Sequence, residues 1–160
     1  MEKLLIKVYK NRKLSLFLSI LCHILSAIFV LAFCGEIGVL IYKEEYVGAL
    51  TIALSAFVGF ALVSLMRRLI DAPRPYELYS FYERKPKEKS GSSFPSRHVY
   101  SAFAITTLAF FAGTLVAVFL LILALIMSLC RILLGIHFIR DVAAGALIGI
   151  IAGVIGLILL

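Results

Sequence analysis

The chain has 160 residues, of which 62% are hydrophobic and only 16% are charged. A soluble domain is usually nearer half apolar and a quarter charged, so this composition excludes an ordinary soluble protein and indicates one membrane-embedded domain over residues 1–160. The formal net charge of +7 fits contact with anionic lipid headgroups in a bilayer, and we expect no nucleic-acid partner.

The N-terminal stretch, residues 1–13, alternates apolar residues and lysines at helical spacing, which predicts an amphipathic helix lying in the headgroup layer. No small-residue cleavage site follows near the first apolar segment, so we expect no removable signal peptide. The three cysteines, Cys22, Cys34 and Cys130, are scattered and lack metal-binding spacing. We interpret them as small buried hydrophobic residues.

About five apolar segments have the length that a membrane-spanning helix needs. They cover residues 14–33, 47–66, 98–111, 115–134 and 142–160. The first could continue through 35–41, and the third is short unless Ser96 caps its helix. The last contains a glycine every three or four residues, which favours close helix packing in lipid. The predicted fold is therefore all-α: a polytopic membrane helix bundle of about five transmembrane helices plus the N-terminal interfacial amphipathic helix.

This topology places two polar segments, 67–97 and 131–141, on the same membrane face. The first is the only long polar stretch. Within it, ERKPKEKSGSS (83–93) has the Pro, Gly, Ser and charged residues that predict an exposed loop. Ionisable groups are costly inside a bilayer, so a cluster of them at one membrane face indicates a functional site.

Three short motifs within these segments carry most of the arginines and two of the three histidines. They read RRLIDAPRP (67–75), FPSRH (94–98) and CRILLGIHFIRD (130–141). Guanidinium groups match phosphate oxygens in a bidentate way and stay charged when desolvated, which indicates a pocket for a multiply charged oxyanion. His137 and Asp141 are four residues apart, so on a helix they share a face. The carboxylate could then orient one imidazole nitrogen and leave the other free to act as a nucleophile.

The three motifs resemble the signature of the type 2 phosphatidic acid phosphatase family, which shares its helical core with vanadium haloperoxidases. That signature is Lys-x6-Arg-Pro, Pro-Ser-Gly-His and Ser-Arg-x5-His-x3-Asp. This chain keeps the order and all three spacings, with Arg67 for Lys, Arg97 for Gly and Cys130 for Ser. Arg67 keeps the charge, Arg97 disfavours a left-handed backbone, and Cys130 lacks the hydroxyl.

The resemblance implies a membrane lipid-phosphate phosphatase that works through a phosphohistidine, with no metal and no cofactor. His137 would attack phosphorus, Asp141 would orient it, and His98 would protonate the leaving oxygen. The phosphoryl oxygens would be held by a set of phosphate-binding residues: Arg67, Arg74, Ser96, Arg97 and Arg131. The substrate would be phosphatidic acid, phosphatidylglycerophosphate, or a polyprenyl phosphate or diphosphate, and the sequence leaves this choice and the oligomeric state open.

One alternative is a non-catalytic lipid-phosphate or anion carrier that uses the same arginines, and it needs no His-Asp pair. Haloperoxidase chemistry through bound vanadate is a second alternative, which five lipid-facing helices disfavour because haloperoxidases are soluble. The face of the membrane is predicted from charge: the site face holds every Lys and Arg of the 16 except Lys43. Short basic loops stay in the cytoplasm, so we expect a cytoplasmic site, with an extracytoplasmic site as the alternative.

Overall fold

A computed structural model describes residues 2–79 and 91–160. The described part of the chain is mostly helical. Residues 80–90, which include most of the predicted exposed loop, lie outside the described part. The helices are α1 (Glu2–Lys10), α2 (Arg12–Tyr42), α3 (Tyr46–Ile70), α4 (Pro75–Leu78), α5 (Arg97–Leu108), α6 (Thr114–Leu133) and α7 (Ile139–Leu159), with a 3-10 turn at Ala109–Phe111 between α5 and α6.

Within the described residues, four helical segments are long and apolar enough to cross a membrane. They are α2, α3 together with α4, α6 and α7. The predicted first segment and its possible extension form one continuous helix, α2, of 31 residues. At 1.5 Å per residue this helix is about 46 Å long, so it reaches beyond the roughly 30 Å hydrocarbon layer.

The predicted third segment, α5, is the shortest of the long helices at 12 residues. Eight of its twelve side chains are buried, because α2, α3, α6 and α7 all pack against it. Since protein rather than lipid surrounds α5, its length does not have to match the bilayer. With the 3-10 turn that follows, it connects the two ends of the bundle.

Large apolar side chains cover the outer faces of the bundle. Leu31 on α2, Leu69 on α3, Leu115 on α6 and Ile158 on α7 are each at least 70% exposed. A soluble monomer rarely exposes apolar surface on every side, whereas lipid solvates such a surface. The predicted multi-pass helical membrane bundle is confirmed.

The glycines of α7 face α5 and α3, as close helix packing requires. Added Cβ atoms would lie 2.6 Å from the Ser96 carbonyl oxygen at Gly145 and 2.5 Å from the Tyr100 carbonyl oxygen at Gly149. No side chain fits at that separation, so the two backbones touch. This contact fixes α5 against α7 over most of its length.

The N-terminal amphipathic helix forms as α1, and its position is more specific than the sequence indicated. Leu5 and Val8 are buried, and α1 contacts both α2 and α6. An added Cβ at Gly135 would lie 3.9 Å from Leu5. The apolar face of α1 therefore packs on the protein, at the end of the bundle that also carries the polar motifs.

Replacing Gly149 by Ala should lower the thermal unfolding midpoint in detergent, because the new Cβ meets the rigid backbone of α5. Overpacking of this kind costs about 1–3 kcal/mol. The matched control is Gly38→Ala on α2, where no atom lies within 4 Å. There the midpoint should hold or rise, since Ala is favoured over Gly in a helix by up to about 1 kcal/mol. Equal shifts for the two variants would contradict close α5–α7 packing.

Candidate active site

The three polar motifs meet at one end of the bundle and enclose a pocket of about 200 Å³. Its wall contains Arg67, Arg74, Arg97, Arg131, His98 and His137, together with Ile136. A water molecule occupies roughly 30 Å³ in the liquid, so the pocket has room for a phosphoryl group. The structure thus brings six of the eight predicted site residues to one cavity.

Arg67 lies on the last turn of α3, which continues past the predicted end of its span to Ile70. The side chain is buried, and its Nη1 donates to the carbonyl oxygens of Ser93, at 3.0 Å, and Pro95, at 2.7 Å. One guanidinium nitrogen therefore fixes the segment before α5, while the same side chain lines the pocket. A point-charge ammonium is less suited to this double role than a planar fork of donors.

Arg74 is held from the other side of the pocket. Its Nε donates to the Gly91 carbonyl at 3.0 Å, and its guanidinium lies 5.7 Å from the centre of the Tyr76 ring. Glu77 accepts hydrogen bonds from the backbone N–H groups of Arg74 and Gly91. These hydrogen bonds connect the start of α4 to Gly91. The backbone that carries Arg74 is therefore held in place beside the pocket.

Three buried polar atoms at the site have no hydrogen-bond partner among the described residues: the Nε of Arg131, the Oγ of Ser96 and the Oδ1 of Asp141. Of these three residues, only Arg131 lines the pocket. Ser96 occupies the N-cap position of α5, as predicted, but its hydroxyl makes no capping hydrogen bond. Arg97 is the first residue of α5 in ordinary helical geometry, and its guanidinium lies 5.7 Å from the Phe60 ring centre. Buried donors without partners are unusual in native proteins and are expected where a ligand supplies the acceptor.

His137 lies in the turn between α6 and α7, two residues before α7 begins. Gly135 adopts a left-handed conformation with φ of 65°, which lets the chain reverse directly after α6. The backbone N–H groups of Ile136 and His137 both donate to the Arg131 carbonyl, at 3.2 and 3.3 Å. The turn therefore ties the imidazole to the end of the helix that carries Arg131.

Asp141 lies in the first turn of α7 and is fully buried. Its Oδ2 accepts from the Phe138 N–H at 2.9 Å and from the Ser93 hydroxyl at 2.5 Å. Its Oδ1 lies 3.5 Å from the Nε of Arg140, which is largely exposed. The pair with His137 exists, but the Nδ1–Oδ2 separation is 3.7 Å, and it runs from a turn to a helix instead of along one helix face.

Burial is the main cause that lowers the pKa of His137 below the ordinary histidine value. The Asp141 carboxylate opposes this shift, and the guanidiniums of Arg74, Arg131 and Arg67 add to it. A histidine in these surroundings is neutral at neutral pH, so one ring nitrogen keeps a lone pair. That is the protonation state that nucleophilic attack requires.

The sequence reasoning missed Ser93, which touches both His137 and Asp141, because a serine in a Gly- and Ser-rich stretch has the pattern of an ordinary loop. Beside this segment, the Asp71 carboxylate accepts hydrogen bonds from the Ser92 N–H, at 2.8 Å, and from its hydroxyl, at 3.0 Å. Asp71 thus fixes the entry to the site segment from outside the pocket.

A second, larger cavity of about 650 Å³ lies beside the pocket. We call it the side groove; it is bounded by α1, the first turns of α2, the α4 region and the α6–α7 turn. Its lining is mostly apolar, with hydroxyls from Tyr9, Ser15 and Ser19 and the charge of Arg12. Ile136 lines both cavities, so the groove adjoins the phosphate-sized pocket.

A lipid-exposed helical bundle with a pocket of arginines and histidines at one end defines a multi-pass membrane protein with an anion site. The family model of the PAP2 superfamily matches residues 48–159, and the chain belongs to that superfamily of membrane phosphatases. It is accordingly a phosphoric ester hydrolase of the lipid-phosphatase class.

One protein of similar sequence and two solved structures resemble the chain. The decaprenylphosphoryl-5-phosphoribose phosphatase of Mycobacterium tuberculosis is 33% identical over 127 residues, covering 79% of this chain and 67% of that protein. The crystal structure of Aquifex aeolicus LpxE aligns over 97% of this chain and 93% of its own, with a TM-score of 0.75 and 28% identity. A PAP2-type phosphatidylglycerolphosphate phosphatase of Bacillus subtilis shares the fold at 20% identity, with a TM-score of 0.72 over 97% of this chain and 81% of its own.

The electrostatics of the pocket predict the titration of His137. In ¹⁵N-histidine spectra of the detergent-solubilised protein, assigned with a His137→Asn variant, this ring should titrate below pH 6.5. Asp141→Asn should lower its pKa further, because the opposing carboxylate is lost, and Arg131→Gln should raise it. A wild-type pKa above 6.5 would contradict the described surroundings.

Proposed function

We propose that this protein removes a terminal phosphate from a membrane lipid through a phosphohistidine on His137. The observation that carries the proposal is one pocket in which four guanidiniums surround two imidazoles, with a buried carboxylate behind one of them. A binding site for a phosphorylated lipid needs only the arginines. Phosphoryl transfer, unlike binding, also uses a second histidine as the acid and a carboxylate that orients the first histidine.

In the proposed first step, the lone pair on Nε2 of His137 forms a bond to phosphorus while the bond from phosphorus to the lipid oxygen breaks. His98 gives its proton to that leaving oxygen. In the second step, His98 takes a proton from a water molecule, the water oxygen bonds to phosphorus, and the N–P bond breaks. The products are the dephosphorylated lipid and inorganic phosphate, and both histidines return to their starting states.

The phosphate-binding roles go to Arg67, Arg74, Arg97 and Arg131. The side chain of Ser96 is fully buried and absent from the pocket wall, so its proposed part in phosphate binding is to hold the start of α5 beneath the arginines. The backbone N–H groups of the first helical turn have no intrahelical partners, so the helix N-terminus adds a partial positive charge near the phosphoryl oxygens. These fixed donors stabilise the charge that develops on the oxygens, the role that Mg²⁺ has in many phosphoryl-transfer enzymes. We therefore propose that the reaction is metal-independent.

The side groove supports a lipid as the substrate. We propose that the phosphate enters the pocket past Ile136 and that the adjoining part of the lipid lies in the groove. An apolar lining with a few hydroxyls suits the boundary between a lipid chain and its headgroup. The Mycobacterium tuberculosis relative is named for a polyprenyl-linked phosphosugar. Phosphatidic acid, phosphatidylglycerophosphate and polyprenyl phosphate or diphosphate all offer the terminal phosphate, and kcat/KM across this panel identifies the preferred lipid.

Replacing the proposed catalytic groups should nearly abolish phosphate release. His137→Ala, His98→Ala and Asp141→Asn should each lower kcat by at least about a hundredfold, as loss of a nucleophile, an acid or an orienting group does. The assay measures inorganic phosphate released by the purified protein in detergent with EDTA present. A base-stable, acid-labile phosphate should be trapped on the wild type and be absent from His137→Ala.

The matched control is His23→Gln. This histidine is exposed on α2, where its ring contacts only the Ser19 carbonyl among the hydrogen bonds described, so activity should be unchanged. Near-normal turnover in the His137 variant would contradict the phosphohistidine. No phosphate release by the wild type, with lipid-phosphate binding equal in the wild type and the His137 variant, would favour the carrier alternative. A strict requirement for Mg²⁺ would contradict metal-independent catalysis.

We propose that the site faces the cytoplasm. The site end of the described structure carries α1 with its lysines and the basic ends of α3 and α6, whereas the opposite end carries Lys43 and the C-terminus beside Gly48. Four of the site-end arginines, Arg67, Arg74, Arg97 and Arg131, have a proposed phosphate role and should be discounted. The remaining excess of positive charge still favours retention of that end in the cytoplasm.

Single cysteines test this orientation, in a background in which Cys22, Cys34 and Cys130 are replaced. One replaces a residue of the loop 85–92, and the other replaces Glu45, which is exposed at the end of the bundle opposite the site. With an impermeant thiol reagent on intact cells, only the cysteine at 45 should be labelled. Labelling of the cysteine in the loop 85–92 instead would show an extracytoplasmic site.

A further inference from the structure

Ser93 lies between the two residues that the proposed mechanism pairs. Its side chain is fully buried, and its Oγ lies 2.5 Å from the Oδ2 of Asp141 and 3.3 Å from the Nδ1 of His137. The direct Nδ1–Oδ2 separation is 3.7 Å. Hydrogen bonds from nitrogen to oxygen are usually 2.7–3.2 Å long. The Nδ1–Oγ contact of 3.3 Å lies just above that range and the direct Nδ1–Oδ2 contact of 3.7 Å well above it, so the better-connected path from the imidazole to the carboxylate runs through the serine hydroxyl.

The number of hydrogens available determines which atom donates and which accepts in each hydrogen bond between His137, Ser93 and Asp141. An ionised carboxylate only accepts, so the single hydrogen of the Ser93 hydroxyl points to Asp141. The hydroxyl then offers a lone pair to Nδ1, and Nδ1 must carry the hydrogen of the neutral ring. The other ring nitrogen of His137, Nε2, is left with its lone pair.

We propose that Ser93 is a positioning residue that links Asp141 to His137 and selects the tautomer with Nε2 free. This inference rests on the proposed function, because it assigns the orientation of the nucleophile. When Nε2 bonds to phosphorus and the lipid oxygen leaves, the ring becomes positively charged and keeps its Nδ1 hydrogen. The serine hydroxyl stays in place, so the Asp141 carboxylate stabilises that charge with no further proton transfer.

The backbone around Ser93 is held rigidly enough for this role. Its N–H donates to the Ala72 carbonyl at 2.9 Å, and its own carbonyl accepts from Arg67 Nη1 at 3.0 Å. The preceding residue, Ser92, is bound by Asp71. Supporting groups of this kind keep a catalytic side chain within the narrow range of geometries that reaction allows.

Ser93 does not fit the role of the nucleophile itself. It is absent from the wall of the phosphate-sized pocket, which His137 lines, and its side chain is completely buried. A substrate phosphorus in that pocket therefore reaches the imidazole and not the serine oxygen. The hydroxyl acts from behind the ring.

Ser93→Ala should lower kcat by roughly tenfold to a hundredfold with little change in KM, the usual cost of losing a group that orients a functional ligand. The control is Ser128→Ala, a buried serine on α6 whose hydroxyl binds only its own helix, which should keep full activity. In the Asp141→Asn background, Ser93→Ala should add less than about threefold, because the two residues act along one path. If the losses in kcat from Ser93→Ala and Asp141→Asn multiply in the double variant, the proposed link through Ser93 is wrong.

The tautomer is read independently in the wild-type protein, whether or not the variants fold. Long-range ¹H–¹⁵N correlations at pH 7.5 should show the hydrogen of His137 on Nδ1. A hydrogen on Nε2 overturns the inference. If Ser93→Ala is fully active while His137→Ala is inactive, only the serine link fails; if His137→Ala is active, the proposed function fails.

Discussion

The buried carboxylate of Asp141 is the constraint on which the rest of the site depends. An ionised carboxylate without partners is costly to bury, so its surroundings must supply donors. It receives the Phe138 N–H, which starts α7, and the Ser93 hydroxyl, which belongs to the segment before α5. The Asp141 carbonyl also accepts the Ser96 N–H at 2.9 Å. One residue therefore joins the starts of two helices and sets the position of His137 between them.

Among the described residues, the positive charge that lines the pocket exceeds the negative charge of the carboxylates around it. Four arginines line it, whereas Asp141 is already engaged behind the histidine and Asp71 and Glu77 bind backbone N–H groups. Mutual repulsion of the guanidiniums disfavours the empty site, and a phosphate dianion relieves that repulsion as it binds. The same dianion favours a protonated His98, so arrival of the substrate itself would prepare the proposed general acid.

Most of the fold and the main site residues could be predicted from the sequence, because they follow from composition and from spacing. Apolar segments of span length fix the helices. Arg67 ends one crossing and His98 begins the next, and two crossings later His137 is back on the same face. The shortness of α5 could not be predicted from a rule for lipid-facing helices, since that helix is surrounded by protein. The role of Ser93 and the existence of the side groove depend on which elements meet in three dimensions. The local sequence around a loop serine, or within a helix such as α1, does not indicate which residues it will contact.

The glycines of α7 connect membrane packing to chemistry. A side chain at residue 145 would meet the Ser96 carbonyl, and its absence lets the start of α5 approach α7 closely enough for Ser96 to bond Asp141. That approach places the N-terminus of α5, with its free N–H groups, beside His137 and the arginines. In lipid, where apolar burial gives helices little reason to associate, backbone contact of this kind supplies the rigidity. The small residues that hold the bundle together are thus the same ones that set the depth and geometry of the anion pocket.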